Sequence, residues 1–292
     1  MKGPFLLLIA LLLLSCAPEQ ESKSSLKPLI FVSIPPQAGL LRELAGDKVE
    51  IRTLVGEGQS PHSYEPTARQ LTTLGEADLL FTIGVPFEKT LLKKIRPLNP
   101  DLPIIGTDEQ ITKRAMPHAH HGEHCTHAHG EKDPHVWLST ENALVITATM
   151  FKTLEELDPE NLPYYSERYA ALLTEMEDLH KATEAKLAPF KGNRFYVFHP
   201  SFGYFADQYG LEQVPIELDG KSPSPRQLAD LIEQAQIDGV KVIFVQKQFP
   251  ADSARAVADA IGGKVVQLDP LAEDVVANLQ QIAESIAPAL ER

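Results

Sequence analysis

Cysteine is almost absent: Cys16 and Cys125 are the only two in 292 residues, so internal disulfides cannot be the framework of this fold. A chain of this length needs none, because it can bury a large core. Basic residues are outnumbered, 27 against 40 acidic ones, and the formal net charge is −13. Without clustered Lys and Arg there is little to neutralise phosphates, which argues against DNA or RNA as a partner. No HExxH pair or other zincin pattern occurs, so the commonest helix-borne zinc hydrolase site is missing. Long apolar runs are missing too. The longest, Phe5 to Leu14, would extend only ~15 Å as a helix, half of a ~30 Å hydrocarbon core.

That run has a different use. Lys2 precedes it and Ser15-Cys16 follows, the layout of a secretory signal over residues 1–15. Its end, Leu13-Leu14-Ser15-Cys16, resembles the bacterial lipobox, which implies lipidation of Cys16, a membrane anchor and an extracytoplasmic location. Residues 16–27 then read as a polar tether. A plain cleavable signal beside an incidental cysteine is the alternative.

Beyond the tether, short apolar runs alternate with helical periodicity. Strands are expected at 29–33, 49–55, 79–83 and 103–106, with helices near 38–45, 67–74 and 87–95. The rhythm returns with strands at 194–198, 214–218, 240–245 and 264–268, and helices near 202–209, 225–236, 251–261 and 273–287. Such alternation predicts α/β architecture with mainly parallel sheets. Between the halves, Tyr165, Tyr169, Leu172, Leu173, Met176, Leu179 and Leu187 recur at helical spacing. A single helix over 163–188 would be ~39 Å long; two shorter packed helices are the alternative. The expected organisation is an N-terminal lobe over 28–157, a linking helix over 158–190 and a C-terminal lobe over 191–292.

One stretch follows no apolar period. Residues 117–131 hold His118, His120, His121, His124, His127 and His129 together with Cys125. Imidazole and thiolate favour Zn(II), copper and Ni(II) over Mg(II) or Ca(II), so this low-complexity insertion reads as an auxiliary metal-binding loop. Three other histidines lie at better-defined places. His62 follows the second strand, His135 closes the insertion, and His199 stands directly after the strand at 194–198. Asp269 stands directly after the strand at 264–268. The carboxyl edge of an open α/β sheet is where ligands bind. Three neutral imidazoles and one carboxylate suffice for a tetrahedral zinc site, with two donors from each half. His180, inside the long helix, is assigned to packing or surface.

The flanking motifs are specific: Pro61-His62-Ser63-Tyr64-Glu65-Pro66, Asp133-Pro134-His135-Val136-Trp137, His199-x-x-Phe202-Gly203-Tyr204-Phe205 and Leu268-Asp269-Pro270-Leu271. With them the chain resembles the metal-specific solute-binding lipoproteins of ABC importers, the zinc and manganese uptake receptors, over essentially all of its length after the signal. The resemblance implies two α/β lobes joined by one long rigid helix, a metal in the cleft between them, and delivery to a membrane permease. It carries over His62, His135, His199 and Asp269 as ligands; Glu57, Glu65 or water could take the fourth position instead. A His-rich loop before the second ligand is typical of the zinc members. Manganese receptors usually place a carboxylate where His199 stands, so Zn(II) is expected as the transported ion ahead of Mn(II). One departure is Gln246-Lys247-Gln248-Phe249, where many relatives have Glu-Pro-Gln-Phe. A secreted zinc hydrolase, or a surface adhesin or zinc buffer, are the other function classes, and no enzyme activity is expected.

Overall fold

In the computed structural model the described residues are 27–116, 132–217, 223–249 and 251–291. The signal and tether, Cys16, and the insertion with His118, His120, His121, His124, Cys125, His127 and His129 lie outside them. None of the described helices is long and apolar enough to cross a membrane.

The first half forms a four-stranded parallel sheet of β1 (Leu29–Val32), β2 (Glu50–Thr53), β3 (Leu79–Thr82) and β4 (Ile104–Gly106), in the order β2-β1-β3-β4. Helices α1 (Pro35–Ala45), α2 (Ala68–Leu74) and α3 (Glu88–Ile95) make the crossovers. The second half repeats this plan. Strands β5 (Arg194–Val197), β6 (Glu212–Pro215), β7 (Val242–Gln246) and β8 (Lys264–Leu268) pair in parallel in the order β6-β5-β7-β8. The later helices are α4 (Thr140–Leu157), α5 (Leu162–Leu187), α6 (Gly203–Tyr209), α7 (Pro225–Ile237), α8 (Asp252–Ala260) and α9 (Val275–Leu290). Strands β1 and β5 each lie where strand order reverses, the switch point at which open α/β sheets open a crevice.

The linking segment is one unbroken helix. A short 3-10 turn, Pro159–Asn161, leads into α5, whose first turn tolerates Pro163 because the missing N–H would be unpaired there. Tyr165, Leu172, Met176, Leu179, Thr183 and Leu187 form its buried stripe, and Phe151 stacks on Tyr169 at 4.5 Å. One apolar cluster runs through both halves: β1 and β3 residues, α4, α5, Phe202, Phe205 and α9 share it. A smaller cluster fills the far face of the second sheet, around Phe198, Ile216, Leu231, Ile243 and Val257. Because the larger core is continuous, the lobes are packed against a common spine and not strung on a flexible tether. At Gly39 of α1 a Cβ would overlap the Glu273 carbonyl oxygen, so glycine permits the close approach of α1 to the segment leading into α9.

Several element bounds differ from expectation, α1 beginning at Pro35 and β2 spanning Glu50–Thr53 among them. The strand expected at 214–218 lies at 212–215: it opens beside Arg194 and ends at Pro215, which has no N–H for the ladder. The strand expected at 240–245 begins at Val242, because Gly239 turns with φ 68° and returns the chain to the sheet. Helix α4 had no counterpart in the sequence reading, although Ser139 caps it and Ala143, Ile146, Met150 and Leu154 bury one face.

Candidate metal centre

His62 sits in the loop between β2 and α2. Tyr64 anchors that loop by packing edge-on against Phe87 at 4.9 Å, and Gln70 of α2 donates to the Leu54 carbonyl at 2.9 Å. His135 lies in the turn before α4, among buried Val136, Trp137 and Leu138. His199 follows β5. Gln246, fully buried at the end of β7, holds its backbone from both sides: Oε1 accepts from the His199 N–H at 3.2 Å and Nε2 donates to the His199 carbonyl at 2.5 Å. Gln246, which opens the Gln246-Lys247-Gln248-Phe249 stretch, is therefore a neutral clamp on His199.

The three ring Nε2 atoms converge. His62 and His135 are 3.2 Å apart, His62 and His199 3.1 Å, and His135 and His199 3.3 Å. These donor atoms form the one cluster of potential metal ligands found among the described residues. The Nδ1 atoms of two rings are fixed by carboxylates: His135 Nδ1 lies 2.7 Å from Asp133, and His199 Nδ1 lies 2.6 Å from Glu217. An Nδ1–H donated to a carboxylate leaves Nε2 as a bare lone pair. Two such lone pairs facing each other repel, and a single proton on His62 can bridge only one of the three approaches. A cation at the centre satisfies all three.

Desolvation favours the neutral form of two of these rings, His62 and His199. His62 keeps an exposed face, but desolvation of its ring within the cleft pushes its pKa down to about 3, with His135 and His199 adding like-charge repulsion. Burial also lowers His199, against the opposing pull of Glu217. The walls are apolar and tight. Phe249 stacks on the His199 ring at 4.7 Å, and Trp137 lies edge-on to His135 at 5.5 Å while its indole N–H donates across the lobes to the Pro270 carbonyl at 2.6 Å. Arg114 reaches both Asp207 of α6, at 3.0 Å, and Asp133, at 3.5 Å. A Cβ at position 203 would fall inside that guanidinium, so Gly203 makes room for it.

Asp269 stands outside the cluster. Its Oδ1 accepts from the Leu271 N–H at 3.0 Å and from Gln248 Nε2 at 3.2 Å, and its Oδ2 pairs with Lys247 at 3.1 Å. Nor does it cap the following helix, which Asp274 does. Glu57 and Glu65 are exposed and also outside the cluster. His180 hydrogen-bonds with Gln208 and neighbours Thr140 and Tyr209, a packing role. Glu217 was missed from sequence because it lies beyond β6 with no motif of its own; Asp133, two residues before His135, was visible but had no role assigned.

The sequence model of one family, described as "ZnuA: Zinc-uptake complex component A periplasmic", matches residues 30–290. The chain belongs to that family. A crystal structure of ZnuA superposes with a TM-score of 0.83 at 39% identity, covering 90% of this chain and 99% of that one. The zinc-binding lipoprotein AdcA of Streptococcus pneumoniae is 27% identical over 272 residues, 90% of this chain. This chain spans only about half, 54%, of AdcA's length. The manganese ABC transporter substrate-binding lipoprotein PsaA of S. pneumoniae is 28% identical and covered to 96% in both directions.

Proposed function

We propose that this protein is the metal-binding receptor of an ABC importer, taking Zn(II) in the cleft between its lobes and presenting it to the membrane permease. His62, His135 and His199 are its protein ligands. One observation carries the reading: the Nε2 triangle has edges of 3.1–3.3 Å. A tetrahedral zinc ion with Zn–N bonds of ~2.0–2.1 Å sets its donors about 3.3–3.4 Å apart, so the rings already stand at ligand spacing. Three imidazoles without a carboxylate favour the borderline Zn(II) over the harder Mn(II).

Asp133 and Glu217 orient the ligand rings and raise their basicity, while Arg114 and Trp137 tie the second lobe to the first. The His-rich segment, residues 117–131, collects loosely held metal and raises its local concentration. Export and lipidation at Cys16 place the receptor at the extracytoplasmic face of the membrane, near the permease. A hydrolase reading has no support from the family, which is one of uptake components.

Calorimetric titration of protein purified without chelators or an affinity tag tests the reading. The expected result is one tight Zn(II) site that an equal concentration of Mn(II) does not displace. Absence of a tight site, or displacement by Mn(II), would contradict it. In cells, deletion should slow growth only when zinc is scarce.

A further inference from the structure

Residues 199–202 leave β5 with little freedom. Two buried glutamines hold them, one from each strand that flanks β5. Gln246, the last residue of β7, accepts from the His199 N–H at 3.2 Å, and donates to the His199 carbonyl at 2.5 Å and to Ser201 Oγ at 2.9 Å. Gln213 of β6 does the same one step along: it accepts from the Phe202 N–H at 3.0 Å and donates to the Pro200 carbonyl at 3.3 Å. Each amide offers an acceptor to an N–H and a donor to a carbonyl, a pairing that an ionised carboxylate, which only accepts, does not supply. The His199 ring is held as firmly, with Glu217 at its Nδ1 and Phe249 across its face. His62 is held more loosely. Its backbone N–H bonds Ser60 Oγ at 3.3 Å, and among the described residues no carboxylate takes its Nδ1.

We propose that Gln213 and Gln246 make the site selective by ion size: they keep His199 from backing away from the triangle, so an ion larger than Zn(II) is held less well. This rests on the three-histidine reading of the site. Donor spacing follows bond length. Edges of 3.1–3.3 Å suit metal–nitrogen bonds of ~2.0–2.1 Å, and a larger ion must push the nitrogens apart. The loop carrying His62 can yield to that push at little cost. His199 yields only by breaking buried hydrogen bonds, and each one broken leaves an unmatched polar group. Selection of this kind is separate from selection by ligand type, which sets imidazole-preferring ions against harder ones. Neither glutamine lines the cavity at the histidines, so both are positioning residues that act through the chain at His199.

The test compares Zn(II) with Cd(II), which has the same charge and a filled d shell but a larger radius. Affinities of the full chain for each ion are measured by competition with a chelator, following Trp137 emission. Gln246→Met should lower Zn(II) affinity roughly tenfold, as expected for a residue that orients a ligand, and Cd(II) affinity by less than about threefold. The ratio of the two affinities therefore falls, and Gln213→Met should move it in the same direction. A wild-type ratio in Gln246→Met overturns the proposal, whether both affinities drop together, as a purely structural role requires, or neither changes. If Gln246→Met fails to fold, Gln246→Glu keeps the size and the acceptor, loses both amide hydrogens, and is read in the same way. Failure of the wild type to bind either ion tightly would instead sink the three-histidine reading beneath it.

Discussion

His199 Nδ1 and a carboxylate oxygen of Glu217 lie 2.6 Å apart, both side chains buried, and this contact decides which nitrogen His199 turns toward the cleft. Glu217 comes from beyond β6 and His199 from beyond β5, so the pairing of those two strands sets the tautomer of His199. Residues that orient a metal-bound histidine typically contribute 10–100-fold to affinity. Glu217→Gln, which keeps the shape and an acceptor but loses the charge, should weaken zinc binding by roughly tenfold, and Glu217→Ala by up to about a hundredfold. Competition with a chromophoric chelator measures both. An unchanged affinity in Glu217→Ala would mean that His199 is not a ligand.

Acid should destabilise the metal-free protein through its neutral histidines. The folded-state pKa of His62 is lowered from 6.5 to about 3, and that of His199 is lowered as well. Above pH 6.5 these rings are neutral whether the chain is folded or not. Below it the unfolded chain takes up protons and the cleft does not, so stability is lost progressively as pH falls toward about 3. The melting temperature of metal-free protein should therefore fall between pH 7.5 and 5, and His62→Gln should flatten that fall. Equal slopes in wild type and variant would show that His62 titrates freely. Because His62 and His199 stay neutral in the folded state, proton competition with zinc at these two rings should set in below the ordinary imidazole range.

The base of the His-rich segment is closed by an antiparallel bridge between Ala115 and Lys132, and by a bond from the Asp133 N–H to the Arg114 carbonyl at 3.0 Å. The chain ends flanking residues 117–131 are therefore already adjacent, and a short link can replace them. Such a deletion should abolish additional, weaker zinc equivalents and preserve one tight site. Loss of the tight site with the segment would mean that the two are not separate.

Trp137 is the single tryptophan of the chain, buried edge-on to His135 and bonded across to Pro270. Its emission should change in a saturable way that ends at one equivalent of zinc, and His135→Ala should remove that change. A response that continues through several equivalents would assign the signal to the His-rich segment.

Much of the fold was legible because its signals are local. Four-residue apolar strands, punctuating glycines and the 3.6-residue stripe of α5 each follow from short-range pattern. Helix α4 was not expected, although Ser139 is a capping residue and Ala143, Ile146, Met150 and Leu154 recur at helical spacing. The register of β6 was not legible, since Ile216 continues the apolar pattern past Pro215 and only the pairing with β5 shows where the ladder stops. In the site, the motifs around His62, His135 and His199 identified residues that the fold brings together. Asp269, a carboxylate at the carboxyl end of a strand, is here bonded to Lys247, Gln248 and Leu271, contacts that have no local signature in the sequence.

The central claim is that side chains from both halves of the chain share one ion. X-ray absorption at the zinc edge, on the variant lacking residues 117–131 and loaded with one equivalent, tests it most directly. Three imidazole nitrogens and one oxygen at ~2.0–2.1 Å are the predicted shell. A shell with fewer than two imidazoles, or one unchanged by His62→Ala, His135→Ala and His199→Ala in turn, would contradict it.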